Sequence, residues 1–392
     1  MTTQKSQTNF LKFYYFFIFF GPGSLFPLLS VYLQDEINLS GTQIGMVMAV
    51  GPIVGILMQP VWGIAADYKQ NPKLILTCTL FISSLMGLIY SFSSSYTLVL
   101  GAAVLLFIPF SAINPLSDSI AVSYSKKLNA HFGDFRLWGA LGYALAAVII
   151  GRLVEWSSFS IIFYSFILSI LISAIISFRL PAEREEEARN KLDKQSIRRL
   201  LVYPKFSFFL IATFFTFGPM DANNTYFGLY IIDLGGTVAS VGLAWFLIAG
   251  FEVPFMKFSG FFIRKFGALN VMIIAAVASS LRYILYYFAP SLTVVFLSTI
   301  IQGFAFALCV TASLHYVVEI SGKEVKNSAV ALYSTVAYGL GNFTFTIIGG
   351  FLYDHFGIYN MYLSFGLITI FGISMFLLLR NSSAEDNKIG VG

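Results

Sequence analysis

"QPVWGIAADYKQNPKLIL", residues 59–76, joins two apolar runs, and "FSGFFIRKFGALNVMI", residues 258–273, does the same much later in the chain. Each presents a glycine, three residues, a charge and then basic residues: Gly63 with Asp67 in the first, Gly260 with Arg264 in the second. What these loops connect decides the fold. A membrane span needs about 20 mostly apolar residues. Windows of that size fall near 10–34, 43–66, 74–91, 96–123, 136–155 and 160–180, then near 205–233, 238–262, 268–288, 293–319, 328–352 and 358–380. Both quoted loops therefore link the second and third spans of a six-span half. The expected architecture is an all-α integral membrane protein in two bundles. The N-terminal six-helix bundle covers residues 1–180, a polar cytoplasmic linker 181–204, and the C-terminal bundle with a short cytoplasmic tail 205–392.

Composition agrees. Charged residues make up 11% of the 392, against about a quarter in soluble domains, and 57% are hydrophobic. The mean hydropathy is +0.79. The 42 Phe and 21 Tyr suit lipid-facing helices and interfacial belts. Cys78 and Cys309 both sit in apolar runs, which speaks against a disulfide framework or a cysteine metal site. The three histidines, His131, His315 and His355, lack metal-ligand spacing. "GPG" at 21–23 follows no strand, and no phosphate-binding loop appears, so an ATP-driven pump is not suggested. No catalytic constellation competes: the chain reads as a non-enzyme without metal or cofactor. The first apolar stretch is too long for a cleavable signal and lacks a small-residue cleavage site.

Topology follows from the basic residues. Of 24 Lys and Arg, all but Arg136, Arg152, Lys257 and Arg282 fall in the termini or the even-numbered loops. Because cytoplasmic loops carry the positive excess, both termini are expected in the cytoplasm. The net charge of +5 is thus a topology signal, and no nucleic-acid partner is implied. The linker "PAEREEEARNKLDKQSIRRLLVYPK", residues 181–205, reads as solvated, with a stretch able to lie on the membrane as an amphipathic helix.

Five ionisable residues stand within spans: Asp118, Arg136, Asp221, Glu252 and Arg282. A charge at the bilayer centre costs at least about 2.5–3.5 kcal/mol, so such groups face a partner or a watery cavity. Asp118, in "INPLSDSIAV" (113–122), and Arg136 flank the loop between spans four and five, at depths that allow pairing. The pair reads either as a structural ion pair, with Arg136 snorkelling to the surface, or as an acceptor–donor couple for hydroxyls. Glu252, in "IAGFEVPFMKF" (248–258), has no basic residue at its i+3 or i+4 position. It reads either as the hydrogen-bond partner of Arg282 or as a group that takes up and releases a proton. Asp221, in "GPMDANNTYF" (218–227), lies beside Asn223 and Asn224, lining a cavity or sitting near the outer mouth.

These residues carry a resemblance. The chain resembles the oligosaccharide–proton symporters of the lactose permease type, with the neighbouring nucleoside and phenylpropionate permeases, all of the major facilitator superfamily. The likeness is densest in "FPLLSVYLQD" (26–35), in the 59–76 loop, and in "NPLSDSIAVSYSKKLNAHFGDFRLWGALGYALA" (114–146). It implies the major facilitator fold, in which two bundles rock about a central site, and a monomeric, proton-driven, multi-pass transporter of a bacterial cytoplasmic membrane. It implies that Asp118 and Arg136, with Asn114 of the same segment, bind solute, and that Tyr143, where the family has a tryptophan, stacks on a sugar ring. It implies that Glu252 and Arg282 couple the proton, and that Gly63 and Asp67 form the gating loop. Two departures matter. In "STIIQGFAFALCV" (298–310), Gln302 stands where the family has a histidine, and the glutamate one turn on is missing. Span eleven, "AYGLGNFTF" (337–345), lacks the lysines that pair with span-seven aspartates. Either the proton carrier is then Glu252, Asp118 or Asp221, or transport is uncoupled from protons.

Three functions remain on this reading. The leading one is proton symport of a small polyhydroxylated solute, a sugar or nucleoside. The others are uptake of an aromatic carboxylate held by a free arginine, and drug or metabolite antiport, disfavoured because "LWGALGYALAAVIIGRL" (137–153) has Gly but no Pro. A paired Asp118–Arg136 favours neutral hydroxyls; a freed arginine favours an anion.

Overall fold

The computed structural model describes residues 2–128, 131–180 and 200–389, and no side chain of residues 2–7, 126–128, 322–324 or 382–389. The expected linker, 181–204, therefore lies almost wholly outside the described residues. Eleven α-helices follow in order: α1 (Thr2–Asp35), α2 (Gly41–Lys69), α3 (Pro72–Ser91), α4 (Tyr96–Leu128), α5 (Phe132–Trp156), α6 (Ser160–Ser177), α7 (Pro204–Asp233), α8 (Val238–Phe266), α9 (Ala268–Tyr287), α10 (Leu292–Ser334) and α11 (Asn342–Ile389). A π-helical turn, Thr335–Gly341, joins the last two.

Twelve spans fit into these elements. Ten described helices are long and apolar enough to cross a membrane, the last being Val325–Asn381 with 57 residues. At 1.5 Å per residue that length would be about 85 Å, more than twice a hydrocarbon core of roughly 30 Å. It breaks at Gly357 (φ 80°, ψ 165°), which splits it into two spans. α7, 30 residues long with Asp221, Asn223 and Asn224 inside it, completes the twelve.

The repeated loop has a local cause. α2 ends at Gln70 in the left-handed region (φ 51°), and Asn71 caps α3 by accepting the Leu74 N–H at 3.0 Å. α8 ends at Gly267 with φ 81°. The second turn also recurs within its own half. In both Phe266-Gly267-Ala268-Leu269-Asn270 and Phe356-Gly357-Ile358-Tyr359-Asn360, a positive-φ glycine follows a phenylalanine whose carbonyl accepts the asparagine amide four residues on, at 2.9 and 2.7 Å.

The chain forms two compact units: residues 1–187 with 225–249, and residues 188–224 with 250–392. In the first, α1 packs on α5 and α6, α3 on α4 and α6, and α2 on α4. Lipid tails are as apolar as leucine, so such packing depends on close approach of small residues rather than on water exclusion. α1 and α5 illustrate it. A Cβ on Gly23 would stand 2.5 Å from the Tyr143 carbonyl oxygen, and one on Gly139 would stand 2.7 Å from the Phe19 ring. In the second unit, α9 packs on α10 and α11 around a core that includes Phe209, Phe217, Met272, Leu308 and Phe376.

Candidate functional site

In the first unit the close α1–α5 contact sets an aromatic row beside two charges. Tyr15, Phe19 and Gly23 recur every four residues along α1 and so share one face. Arg136, Gly139 and Tyr143, spaced by three and then four residues, likewise share one face of α5. Arg136 lies over the Phe19 ring at 5.3 Å, and Phe19 stacks on Tyr15 at 6.2 Å and 16°.

Asp118 joins this row from α4. Its Oδ1 accepts the Tyr15 hydroxyl at 2.8 Å, and its Oδ2 stands 3.7 Å from Arg136 Nη1. The preceding pair repeats the bridge, Tyr14 to Ser117 at 2.7 Å, so consecutive residues of α1 hold consecutive residues of α4. Tyr14 and Tyr15 are fully buried. The charges differ: the side chains of Arg136 and Asp118 keep 45% and 33% exposure. A wet, 3.7 Å ion pair is worth about 0–1 kcal/mol, whereas a hydrogen bond to a carboxylate is worth about 1.5–3 kcal/mol. Tyr15 is therefore the firmer tether, and the carboxylate and guanidinium keep capacity for other partners.

Of the residues assigned to this site from sequence, Asp118 and Arg136 come together. Asn114 lies exposed one turn earlier on α4. Tyr143 lies two turns beyond Arg136, half-buried, with its ring edge-on to Trp245 of α8 at 6.3 Å and 69°. Tyr15, Phe19 and Trp245 escape the sequence reading. For Tyr15 and Phe19 the one signal is their four-residue spacing on α1; Trp245 of α8 has none of that kind. Gly63 and Asp67, expected from the resemblance to form a gating loop, fall in the last turns of α2, ahead of the tight turn at Gln70.

The second unit holds the other candidates. Arg282 of α9 is 2% exposed. It donates from Nε to the Tyr286 hydroxyl at 2.9 Å and from Nη2 to Gln302 Oε1, and its guanidinium lies 4.9 Å over the Tyr286 ring. Tyr286 and Ser298 hydroxyls pair at 2.6 Å. Gln302 is thus engaged with the arginine. Glu252 stands close by in the backbone, since a Cβ on Gly303 would meet Glu252 N at 2.9 Å. Yet no described group pairs with the Glu252 carboxylate, so the bond to Arg282, one of its two readings, is not formed in this structure. The neutral amide of Gln302 and the Tyr286 phenol satisfy the guanidinium instead. Asp221 is 7% exposed, and its Oδ2 lacks a hydrogen-bond partner among the described residues. Asn223 accepts the Tyr362 hydroxyl at 3.1 Å. A separate cavity of about 440 Å³, lined by Leu201, Leu210, Ile211, Phe214, Phe215 and Val336 with Ser207, contains none of these residues. Its lining has almost nothing to bond a hydroxyl. Among the described residues no group of His, Cys, Asp and Glu is placed to hold a metal ion.

Comparison with known proteins adds three findings. A family model described as the MFS_1 like family matches residues 9–364. The maltose permease of Geobacillus stearothermophilus is 42% identical over 377 residues, 96% of this chain and 95% of that protein, and the uncharacterized transporter YwbF of Bacillus subtilis is 37% identical over 96% and 94%. The crystal structure of a mutant of the nucleoside transporter NupG superposes with a TM-score of 0.88 at 18% identity, covering 94% of this chain and 98% of that one.

Proposed function

The chain belongs to the MFS_1 like family, a group of major facilitator transporters, and on that footing we propose that it takes up a small polyhydroxylated solute together with protons. A sugar is favoured over a nucleoside, and an α-linked disaccharide such as maltose first of all, because the maltose permease is 42% identical over nearly the whole of both chains. The observation that carries the reading is the Tyr15–Asp118–Arg136 cluster. A carboxylate with one oxygen fixed by a phenol and the other beside a guanidinium accepts hydroxyl hydrogens, while the guanidinium donates to ring and hydroxyl oxygens. The pairing of Arg136 speaks for neutral hydroxyls over an aromatic carboxylate.

The remaining roles follow in order. Asp118, Arg136 and Asn114 bind the solute, and Tyr143 offers a ring face. Glu252, without a partner beside the Arg282–Gln302 pair, takes up and releases the proton, and buried Asp221 is the second carboxylate able to do so. The proton gradient supplies the energy, and Gly63 and Asp67 gate the cytoplasmic side. The two halves, 1–180 and 205–392, move as bodies to expose the site alternately. The protein works as a monomer in a bacterial cytoplasmic membrane with both termini inside, as the basic residues support.

The test is ligand-induced thermal stabilisation of purified protein against a panel of mono- and disaccharides, nucleosides and aromatic acids. Wild type gains stability with maltose, and Asp118→Asn loses about 10- to 100-fold in affinity, the equivalent of one hydrogen bond to a charge. Stabilisation by aromatic acids alone, equal in wild type and mutant, would sink the reading.

A further inference from the structure

We propose that Trp245 completes a second ring subsite in the first unit, its indole N–H donating to an oxygen of the distal ring of a two-ring solute. The inference rests on the sugar reading above and extends it to the length of the solute.

Trp245 is 9% exposed, and its Nε1 has no hydrogen-bond partner among the described residues. A buried donor left without an acceptor costs about 1–3 kcal/mol, so native chains rarely keep one without use. If only bulk were needed at this point in α8, phenylalanine would supply it without the orphan donor. Tyr90 offers a contrast. Its hydroxyl is also unpartnered, but the residue is 1% exposed and packed edge-on to Phe163, with none of the candidate binding residues beside it. Trp245 instead borders Tyr143, a half-buried ring, edge-on at 6.3 Å, and it is backed by Phe227 at 6.4 Å and 80°.

Position gives the subsite its meaning. Tyr143 follows Arg136 by seven residues on α5, two turns along one face, or about 10 Å. Phe19 fills the gap between them, with Arg136 over its ring. The wall thus runs from a charged end, Tyr15–Asp118–Arg136, to an aromatic end, Tyr143–Trp245, carrying a single orphan N–H. A single sugar ring held at the charged end leaves the aromatic end empty; two linked rings reach both. Aromatic faces suit the apolar C–H face of a pyranose, and the one donor fixes its orientation through a hydroxyl or ring oxygen.

The experiment compares Trp245→Phe, which keeps a ring and removes the N–H, with wild type and Asp118→Asn. Maltose and methyl α-glucoside are titrated calorimetrically, and the four tryptophan indole N–H signals of ¹⁵N-labelled protein are followed by NMR. The expected result is a loss of about three- to tenfold in maltose affinity for Trp245→Phe, the value of one neutral hydrogen bond. Methyl α-glucoside affinity should stay within twofold, and maltose should shift one indole signal in wild type that is missing in the mutant. Unchanged maltose affinity, or equal loss for both sugars, overturns the Trp245 assignment while Asp118→Asn still tests the sugar site. If wild type binds neither sugar, the sugar reading falls and the subsite falls with it.

Discussion

Tyr15→Phe removes one oxygen atom and tests whether Asp118 is a held acceptor or a loose surface charge. The phenol donates to Asp118 Oδ1 at 2.8 Å from a fully buried ring, so the substitution leaves the packing of α1 unchanged and deletes only the bond. A hydrogen bond to a carboxylate is worth about 1.5–3 kcal/mol when no water can replace it. Here Asp118 keeps 33% exposure, so water recovers part, and a net loss of about 1 kcal/mol is the reasonable figure. The Arg136 contact at 3.7 Å does not compensate, since an exposed pair of that length contributes little. Two readouts follow. Thermal unfolding should move by only a few degrees, because the bond is a small part of a 392-residue fold. Sugar affinity by calorimetry should fall about three- to tenfold, because the carboxylate regains rotamers that the solute must then freeze. Asp118→Asn should fall much further than Tyr15→Phe, and the double mutant should match Asp118→Asn within about 0.5 kcal/mol, as expected when one residue acts through the other. Additive losses in the double mutant would refute the tether, as would a Tyr15→Phe protein that binds like wild type.

Two further outcomes are expected. Gly23→Ala should destabilise the protein by about 1–3 kcal/mol and weaken solute binding, because the new Cβ would stand 2.5 and 2.7 Å from backbone atoms of Tyr143, which cannot rotate away. Gly101→Ala is the control, with nothing within 4 Å of its Cβ, and should be neutral or slightly stabilising in thermal unfolding. Glu252→Gln should abolish accumulation of sugar against a gradient in proteoliposomes while counterflow exchange persists at about the wild-type rate; full accumulation by the mutant would remove Glu252 from the coupling step.

The spans and the charged pair were legible for a common reason: each is expensive to misplace. Twenty apolar residues in a row have few destinations, and Asp118 in such a row has to find a donor, which narrows its partner to Arg136 on the adjacent helix. What could not be read is the donor that matters more. Among 21 tyrosines, Tyr15 looks like any other interfacial aromatic, since its ring is at home in the bilayer and only tertiary contact decides where its hydroxyl points. Trp245 is hidden in the same way. Glu252 shows the converse. Its spacing showed the lack of a partner on its own helix, but whether Arg282 reaches it depends on a competition that sequence does not display. A glutamine amide and a phenol, both neutral, take the guanidinium. Gln302 gives Arg282 an acceptor that carries no charge, and Glu252, close by in the backbone, is left without a partner among the described residues.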